Sequence, residues 1–143
     1  MTRRSAFTLL ELAVILALLA ILFLAAAPVL SGARAVLAVR SARAEVIAAL
    51  AATRAQAVLT GGAQLVITSD GNLRIERADG ALLREPVPLA ARYGVAIVGA
   101  GDLPVILRYD ALGIGRMTNT TLWIHRGDVA STVCVAAYGR ARS

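Results

Sequence analysis

The sequence predicts an α+β protein. A long N-terminal helix, part transmembrane and part amphipathic, packs on a small antiparallel β-sandwich-like head. Three observations support this: an apolar run near the N-terminus, an alanine-rich stretch after it, and alternating strands with turn signals from Gln64 onward. With 143 residues, the chain has room for one modest domain plus an appendage.

The first element is the apolar run Leu12–Leu30, which contains no polar side chain. At a rise of about 1.5 Å per residue it covers about 28 Å, close to the ~30 Å hydrocarbon core of a bilayer. The run is therefore long enough to cross a membrane as a helix. A plain membrane anchor is one interpretation of it.

A secretory signal peptide is a second interpretation. Arg3 and Arg4 would form its basic region, and Ala25–Ala27 offers an A-x-A cleavage site. The apolar run, however, is longer than the usual ~7–15 residues. Cleavage after Ala27 would also place Pro28 directly behind the cut bond, which is unfavourable for a peptidase.

A plain membrane anchor does not explain Glu11, because a carboxylate inside a bilayer costs about 2.5–3.5 kcal/mol at mid-depth. A third interpretation explains it. Cleavage between Ala6 and Phe7 would create a positive amino terminus, with Glu11 one turn downstream on the new helix. In a staggered bundle of such helices, Glu11 of one subunit can meet the amino terminus of the next. An unpaired buried charge is costly, so this pair would set the axial register.

The segment Ser5–Leu12 resembles the processing site of type IV pilins and type II secretion pseudopilins. The resemblance implies that a prepilin peptidase removes residues 1–6 by cutting between Ala6 and Phe7, and that Phe7 is then N-methylated. It gives Glu11 and Pro28 roles in assembly. The family most often has Gly where this chain has Ala6.

The same resemblance implies a single-pass inner-membrane protein with a cytoplasmic N-terminus and a periplasmic head, extracted into a filament on assembly. Charge alone leaves the orientation open, since arginines flank both ends of the apolar run. The expected divisions are a leader at 1–6, a transmembrane half at 7–30, an amphipathic half at 31–60 and a β head at 63–143.

The amphipathic half is alanine-rich and ends at the helix-stop signal Thr60–Gly62. An apolar stripe is predicted at Val36, Val39, Val46 and Leu50, interrupted by Arg43. The residues expected on the solvated face are Arg40, Arg43, Glu45 and Arg54.

The head is predicted to contain seven short strands separated by turn signals such as Asp70-Gly71. The predicted strands are Gln64–Ser69, Leu73–Arg77, Ala81–Glu85, Tyr93–Val98, Val105–Asp110, Thr121–Arg126 and Ser131–Tyr138. About 80 residues make a small core, so packing on the helix must supply part of the stability.

A narrower resemblance, to the GspH/FimT type of minor pseudopilin, rests on four segments of the chain. They are Arg54-Ala55-Gln56-Ala57, Arg108-Tyr109-Asp110 followed by Gly113, Leu122-Trp123-Ile124, and Gly139-Arg140-Ala141-Arg142. The resemblance implies a low-abundance subunit near a filament tip, in contact with other pilins through the N-terminal helix.

The C-terminal segment with Gly139, Arg140 and Arg142 admits two interpretations. One is a solvated tail. The other is a phosphate contact, because arginine forks fit phosphate oxygens, and pilus-type members of the resembling family bind DNA through such a tail. The chain has 15 basic residues against 9 acidic ones and a pI near 11.0, which is compatible with a DNA partner but is weak evidence alone.

Catalytic chemistry is not indicated. The single histidine, His125, is expected on an edge strand as an ordinary boundary residue, and the single cysteine, Cys134, as a strand residue between two valines. We therefore expect no enzyme activity, no cofactor and no metal site.

The sequence leaves three alternative functions open. The first is a minor pseudopilin at or near the tip of a type II secretion pseudopilus. The second is a minor type IV pilin that binds DNA through Gly139, Arg140 and Arg142 during natural transformation. The third and weakest is a soluble domain released by signal peptidase.

Overall fold

The computed structural model describes residues 9–116, 119–136, 138–139 and 141–142, with the backbone alone at Ala27, Pro28 and Arg142. Its long helix, α1, is Leu9–Thr60. Two compact units divide the chain, Met1–Arg34 and Ala35–Ser143, and α1 contributes residues to both. The predicted end of the helix is confirmed, because Gly61 follows it with φ +80°, a conformation that glycine adopts without strain.

The second unit contains two antiparallel four-stranded sheets, built from the described residues. The first sheet has the order β3-β2-β1-β5, where β1 is Gly62–Ile67, β2 is Asn72–Arg77, β3 is Val87–Pro88 and β5 is Val105–Asp110. The second sheet has the order β4-β6-β7-β8, where β4 is Ala96–Gly99, β6 is Thr120–Arg126, β7 is Val129–Val135 and β8 is Ala141–Arg142.

Turn chemistry fixes the two main hairpins. At Asp70-Gly71 the Gly71 N–H donates to the Thr68 carbonyl at 3.0 Å, and Ile67 pairs with Leu73. The hairpin predicted at this dipeptide is confirmed. The β6–β7 hairpin turns at Gly127, which has φ +58°, as expected where a tight turn needs a left-handed residue.

One predicted strand is wrong, for a reason that involves the prolines, and another begins later than predicted. In Ala81–Glu85 only Leu82 forms a bridge, to Glu76, and Val87–Pro88 supplies the short strand instead. Pro86 and Pro88 lack the N–H that a longer ladder needs. Tyr93–Val98 fails at its start, because Leu89–Tyr93 forms a short helix, α2, and the strand begins only at Ala96.

The last predicted strand, Ser131–Tyr138, is shifted. The observed strand β7 covers Val129–Val135, and the chain then turns before β8. The expectation that His125 lies on an edge strand is also wrong, because β6 pairs with β4 on one side and β7 on the other. Whether a strand lies at the edge or in the centre of a sheet depends on its tertiary pairing, and the local alternation of residues does not show this position.

One core joins α1 to both sheets. Val39, Val46 and Leu50 are buried as predicted, and Thr53 is buried with them, its hydroxyl donating to the Ala49 carbonyl at 2.7 Å. The largest buried side chains contributed by the sheets are Leu65, Ile67, Leu73, Leu107, Leu122, Ile124, Val133 and Val135. Helix and sheets therefore share the burial that a head of this size needs.

The polar residues of α1 are less solvated than expected. Arg40 is exposed, but Arg43, Glu45 and Arg54 are half-buried. The Nε of Arg43 is buried and has no hydrogen-bond partner within the described residues. The solvated face predicted for these residues is therefore correct only for Arg40.

Candidate functional site

The predicted N-terminal site belongs to the first unit. Ala6 and Phe7 lie outside the described residues. Glu11 lies in the first turn of α1 with its side chain exposed, a position where the helix dipole favours an acid. Pro28 lies within α1, and only its backbone is described.

Every described side chain from Leu9 to Ala26 is exposed. Leu9, Phe23 and Leu24 are each at least 75% exposed, although all three are strongly apolar. Among the residues of the first unit whose side chains are described, none is buried. By length and composition, α1 is able to cross a membrane.

A second candidate site lies in the second unit, where α1, β5 and the C-terminal segment meet. We call Arg54, Tyr109 and Gly139 the tail cluster. Arg54 Nη2 donates a hydrogen bond to the Gly139 carbonyl, and the Tyr109 hydroxyl donates to the same oxygen at 3.2 Å. Residues far apart in sequence thus converge on one backbone carbonyl.

Tyr109 lies at the centre of the tail cluster. It faces inward from β5 and is 3% exposed, and the Arg54 guanidinium carbon lies 5.4 Å from its ring centroid, within cation–π range. Burial raises the pKa of the Tyr109 hydroxyl above its ordinary value, and the neighbouring Arg54 charge partly opposes that rise. The hydroxyl therefore remains a neutral donor at physiological pH.

Gly139 is fixed in the cluster by shape as well as by hydrogen bonds. Its φ is +75°, and a Cβ built on it would overlap the Tyr109 ring. Its N–H donates to the Ala136 carbonyl at 2.7 Å, which closes a turn before β8. No other residue type fits this position without moving the ring.

A loop after β5 lies beside the cluster, close to Arg54. Asp110 Oδ1 accepts the backbone N–H groups of Leu112 and Ile114, each at 3.0 Å. The hydrogen bond from Ile114 is the largest cause of a pKa for Asp110 below its ordinary value, with further lowering from Leu112 and the nearby Arg116. The charged carboxylate is thus the form that holds the loop.

Gly113 lets this loop lie against α1. Its φ is +71°, and a Cβ at this position would lie 2.9 Å from Arg54 Cγ and 3.2 Å from Val58 Cγ2. The Gly115 N–H donates to the Tyr138 carbonyl at 3.3 Å, so the same loop also contacts the C-terminal segment.

The described backbone of the C-terminal segment is held by the rest of the second unit. Gly139 is buried, and β8 pairs with β7 through Val135–Ala141 and Cys134–Arg142. Arg140 lies outside the described residues, and only the backbone of Arg142 is described. The structure thus positions Gly139 and the backbone of β8, and it leaves the phosphate interpretation as a prediction.

The contribution of Arg54 could not be found from local sequence patterns. It lies 85 positions from its partner Gly139, in a helix whose other polar residues suggest a solvated face. The narrower resemblance includes the segments that contain Arg54, Tyr109, Gly113 and Gly139, and the structure brings these four residues together. The one local signal of this site is Gly139 in the segment Gly139-Arg140-Ala141-Arg142.

The remaining polar candidates form no site within the described part of the chain. Cys134 is exposed on β7, with the Thr121 hydroxyl 3.8 Å from its sulfur, and His125 is half-buried on β6. Among the residues that the structure describes, no three His, Cys, Asp or Glu side chains are grouped to hold a metal ion.

Comparisons with known proteins identify the fold. No protein-family model matches the sequence, and no curated protein matches it. A solved structure with the same fold is the type IV minor pilin FimU of Pseudomonas aeruginosa strain PAO1. It is 19% identical, the match covers 73% of this chain and 86% of that chain, and the TM-score is 0.58. The chain therefore has the type IV pilin fold, as the sequence predicted.

Proposed function

We propose that this protein is a minor pilin-like subunit, a non-enzymatic component that enters a filament through α1. More specifically, we propose that the protein is a pseudopilin at or near the tip of a type II secretion pseudopilus. In this proposal the leader is removed between Ala6 and Phe7, and Phe7 is methylated. The apolar half of α1 holds the subunit in the inner membrane, with its head in the periplasm, until assembly.

The observation that carries the proposal is the exposed apolar surface of α1. Burying one Leu or Phe side chain stabilises a structure by about 1.5–3 kcal/mol, and the first unit leaves many such side chains uncovered. Such a surface requires lipid or other helices around it. A pilin-type subunit meets both environments, first in the membrane and then in the helix bundle of a filament.

A second exposed strip, on the part of α1 in the second unit, supports the same proposal. We call it the seam, and its residues are Leu37, Ser41, Ala44, Ala48, Ala51, Ala55 and Val58. All seven are exposed, and their spacing alternates between four and three residues. This is the spacing at which one helix packs along another, and small side chains let the two backbones approach closely.

Subunit capture tests this proposal. The full-length chain is extracted in mild detergent, and the pilin-like proteins of the same organism that co-purify with it are quantified by mass spectrometry. Ala51→Arg places a charge in the seam and should reduce co-purification several-fold. Ala100→Arg, at an exposed loop position outside α1, is the matched control and should not. Equal recovery with both variants would contradict a role for the seam.

Deleting the gene tests whether the subunit acts in protein secretion or in DNA uptake. A secretion subunit predicts that proteins normally found in the medium accumulate in the periplasm, whereas DNA uptake continues. The opposite result, normal secretion with lost transformation, would replace the secretion proposal with the second candidate.

That second candidate is DNA binding by the C-terminal segment. The tail cluster favours it, because Arg140 and Arg142 follow a glycine whose position is fixed, so less entropy is lost when they bind a ligand. Contacts restricted to phosphates would be indifferent to base sequence, and each phosphate contact contributes about −0.9 to the slope of log K against log salt.

The test compares two double variants of the full-length chain. Replacing Arg140 and Arg142 with Ala should weaken duplex DNA binding and flatten the salt slope by up to about two. Replacing Arg74 and Arg77 on β2 removes the same charge elsewhere and should do much less. Equal loss with both variants would show that the overall basic charge, rather than a site, binds DNA.

A further inference from the structure

Two arginines lie opposite each other at the edge of the first sheet. Strand β5 pairs with the segment that follows it through the isolated bridge between Tyr109 and Gly115. Beside this bridge the Arg116 N–H donates to the Arg108 carbonyl at 3.0 Å. This register places Arg108 directly across from Arg116, so both side chains project from the same face of the sheet. That face points away from the core, because Arg108 is exposed between the buried Leu107 and Tyr109.

The two positive charges are only partly compensated. Like charges directly opposite each other on paired strands destabilise a sheet. Asp110 lies with Oδ2 3.6 Å from Arg116 Nε, which is longer than a hydrogen bond, and its Oδ1 already accepts two backbone N–H groups of the loop. Arg108 forms no ion pair within the described residues. The group of three charges therefore keeps an excess of one positive charge.

Both arginines line a cleft of about 230 Å³, together with Asp110. Gly61 and Gly62, at the turn between α1 and β1, form part of its wall, and they add no side chain to it. Gln64 also lines the cleft, but its amide already donates to Glu76 at 3.4 Å. The guanidinium groups are thus the donors that the cleft offers to a ligand.

The arrangement selects the class of ligand. One arginine fork is enough for the two oxygens of a carboxylate, whereas two forks from neighbouring strands suit an anion with more oxygens and more charge. We infer that Arg108 and Arg116 bind a phosphate group in this cleft. Dissolved phosphate and the headgroup of an anionic phospholipid share this chemistry. The inference rests neither on filament assembly nor on DNA binding by the C-terminal segment.

The experiment follows thermal unfolding of the full-length chain in non-ionic detergent at neutral pH, through the fluorescence of Trp123. Inorganic phosphate at millimolar concentration is compared with sodium chloride and with sodium acetate at the same ionic strength. A ligand that binds only the folded state raises the unfolding midpoint, so phosphate should raise it above the value in chloride. Acetate should raise it less, because a carboxylate occupies one fork. In a parallel series, phosphatidylglycerol added to the micelles tests the lipid headgroup.

Three variants test whether the two arginines form the site. Arg108→Gln removes one fork and should weaken the affinity for phosphate about ten- to a hundredfold, the change expected when a charged hydrogen-bonding partner is lost. Arg108→Gln combined with Arg116→Gln should abolish the rise in midpoint. Arg40→Gln combined with Arg84→Gln removes the same charge from exposed positions elsewhere in the second unit, and this matched control should keep the rise.

The source of the phosphate group follows from the two series. A rise with inorganic phosphate alone identifies a dissolved ion, and a rise with phosphatidylglycerol alone identifies a lipid headgroup. The inference is overturned if neither raises the wild-type midpoint, if acetate acts as strongly as phosphate, or if both double variants respond alike. If the Arg108→Gln, Arg116→Gln chain does not fold, the single variant Arg108→Gln decides, because an unchanged affinity in that variant equally overturns the inference.

Discussion

The guanidinium of Arg54 lies over the ring of Tyr109, and both side chains donate to the carbonyl of Gly139. Three elements, the end of α1, strand β5 and the turn before β8, are thereby joined at one oxygen. Because Tyr109 is buried, this junction belongs to the core as well as to the C-terminal segment. It should therefore contribute measurably to stability.

Arg54→Ala is expected to lower the free energy of unfolding by about 1–3 kcal/mol. The change removes a charged hydrogen bond and a cation–π contact, and it leaves the Gly139 carbonyl with one donor fewer. Unfolding of the full-length chain in detergent can be followed through the fluorescence of Trp123, the single tryptophan, which lies on β6.

Arg40→Ala is the control for Arg54→Ala, since it removes the same side chain from an exposed position on the same helix. Its effect should stay within about 0.5 kcal/mol. Tyr109→Phe keeps the ring and removes one hydrogen bond, so its cost should fall near 1 kcal/mol. If Arg54→Ala were as mild as Arg40→Ala, the tail cluster would not stabilise the head.

Gly139→Ala should destabilise the chain more than Gly80→Ala. Both glycines have positive φ, +75° and +87°, so each substitution carries the left-handed cost of about 1–2 kcal/mol. At Gly80 a new Cβ meets nothing within 4 Å, whereas at Gly139 it overlaps the ring of Tyr109. The overlap should add about 1–3 kcal/mol. Equal midpoints in a urea titration would show that the ring moves away freely.

Local chemistry made several elements predictable from the sequence. The hairpin at Asp70-Gly71 and the helix end at Thr60 depend on residues within one turn of each other. The inward direction of Leu122 and Ile124 follows from strict alternation along one strand. In each case the information lies within about seven residues.

Other features depend on residues that meet only after folding. The sequence predicts a solvated position for Arg54, because no neighbouring residue in the helix indicates burial. Its partners lie on β5 and in the C-terminal turn. The two-residue strand β8 has no alternation to recognise, and it exists because the edge of β7 is available to it. Long-range pairing of this kind leaves no local pattern.

Asp110 should make stability depend on pH in the acid range. Hydrogen bonds from Ile114 and Leu112, with Arg116 nearby, hold its pKa below the ordinary value. A carboxyl group with a lowered pKa contributes stability above the unfolded value of about 3.9, and this contribution is lost as pH falls through the lower, folded value. Wild-type stability should therefore decrease as the solution is acidified below about pH 5.

The variant Asp110→Asn isolates this effect, because the amide oxygen can still accept the two backbone N–H groups but does not titrate. Its unfolding midpoint should be lower than that of the wild-type chain at neutral pH, and the difference should shrink as the pH approaches 3. A constant difference across this range would show that the ionisation of Asp110 does not cause the loss of stability in acid.

Processing of the N-terminus can be read directly from the mass of the membrane-extracted protein. Intact-mass and N-terminal sequencing should show a chain that begins at Phe7 and carries one methyl group on its amino nitrogen. A chain that begins at Met1 would exclude prepilin processing, and one that begins after Ala25 would support the signal-peptide interpretation.

Glu11→Val tests the register pair at the start of α1. Membrane insertion should be unchanged or improved, because removing a carboxylate from an apolar helix removes its cost in the bilayer. Incorporation into the filament should decrease, since the amino terminus of a neighbouring helix loses its counter-ion and an unpaired buried charge is costly. Both quantities can be measured in one preparation, as the membrane-bound fraction and the fraction that co-purifies with other pilin-like subunits.

The size of the Glu11→Val effect also reports the position of the subunit. A subunit within the shaft has neighbours above and below, so losing the pair should abolish most of its co-purification. A subunit at the tip has no neighbour above it and should lose less. Glu45→Val, farther along α1, removes an acid outside the apolar run and is the matched control. If Glu11→Val and Glu45→Val co-purify as well as the wild-type chain, Glu11 does not set the register.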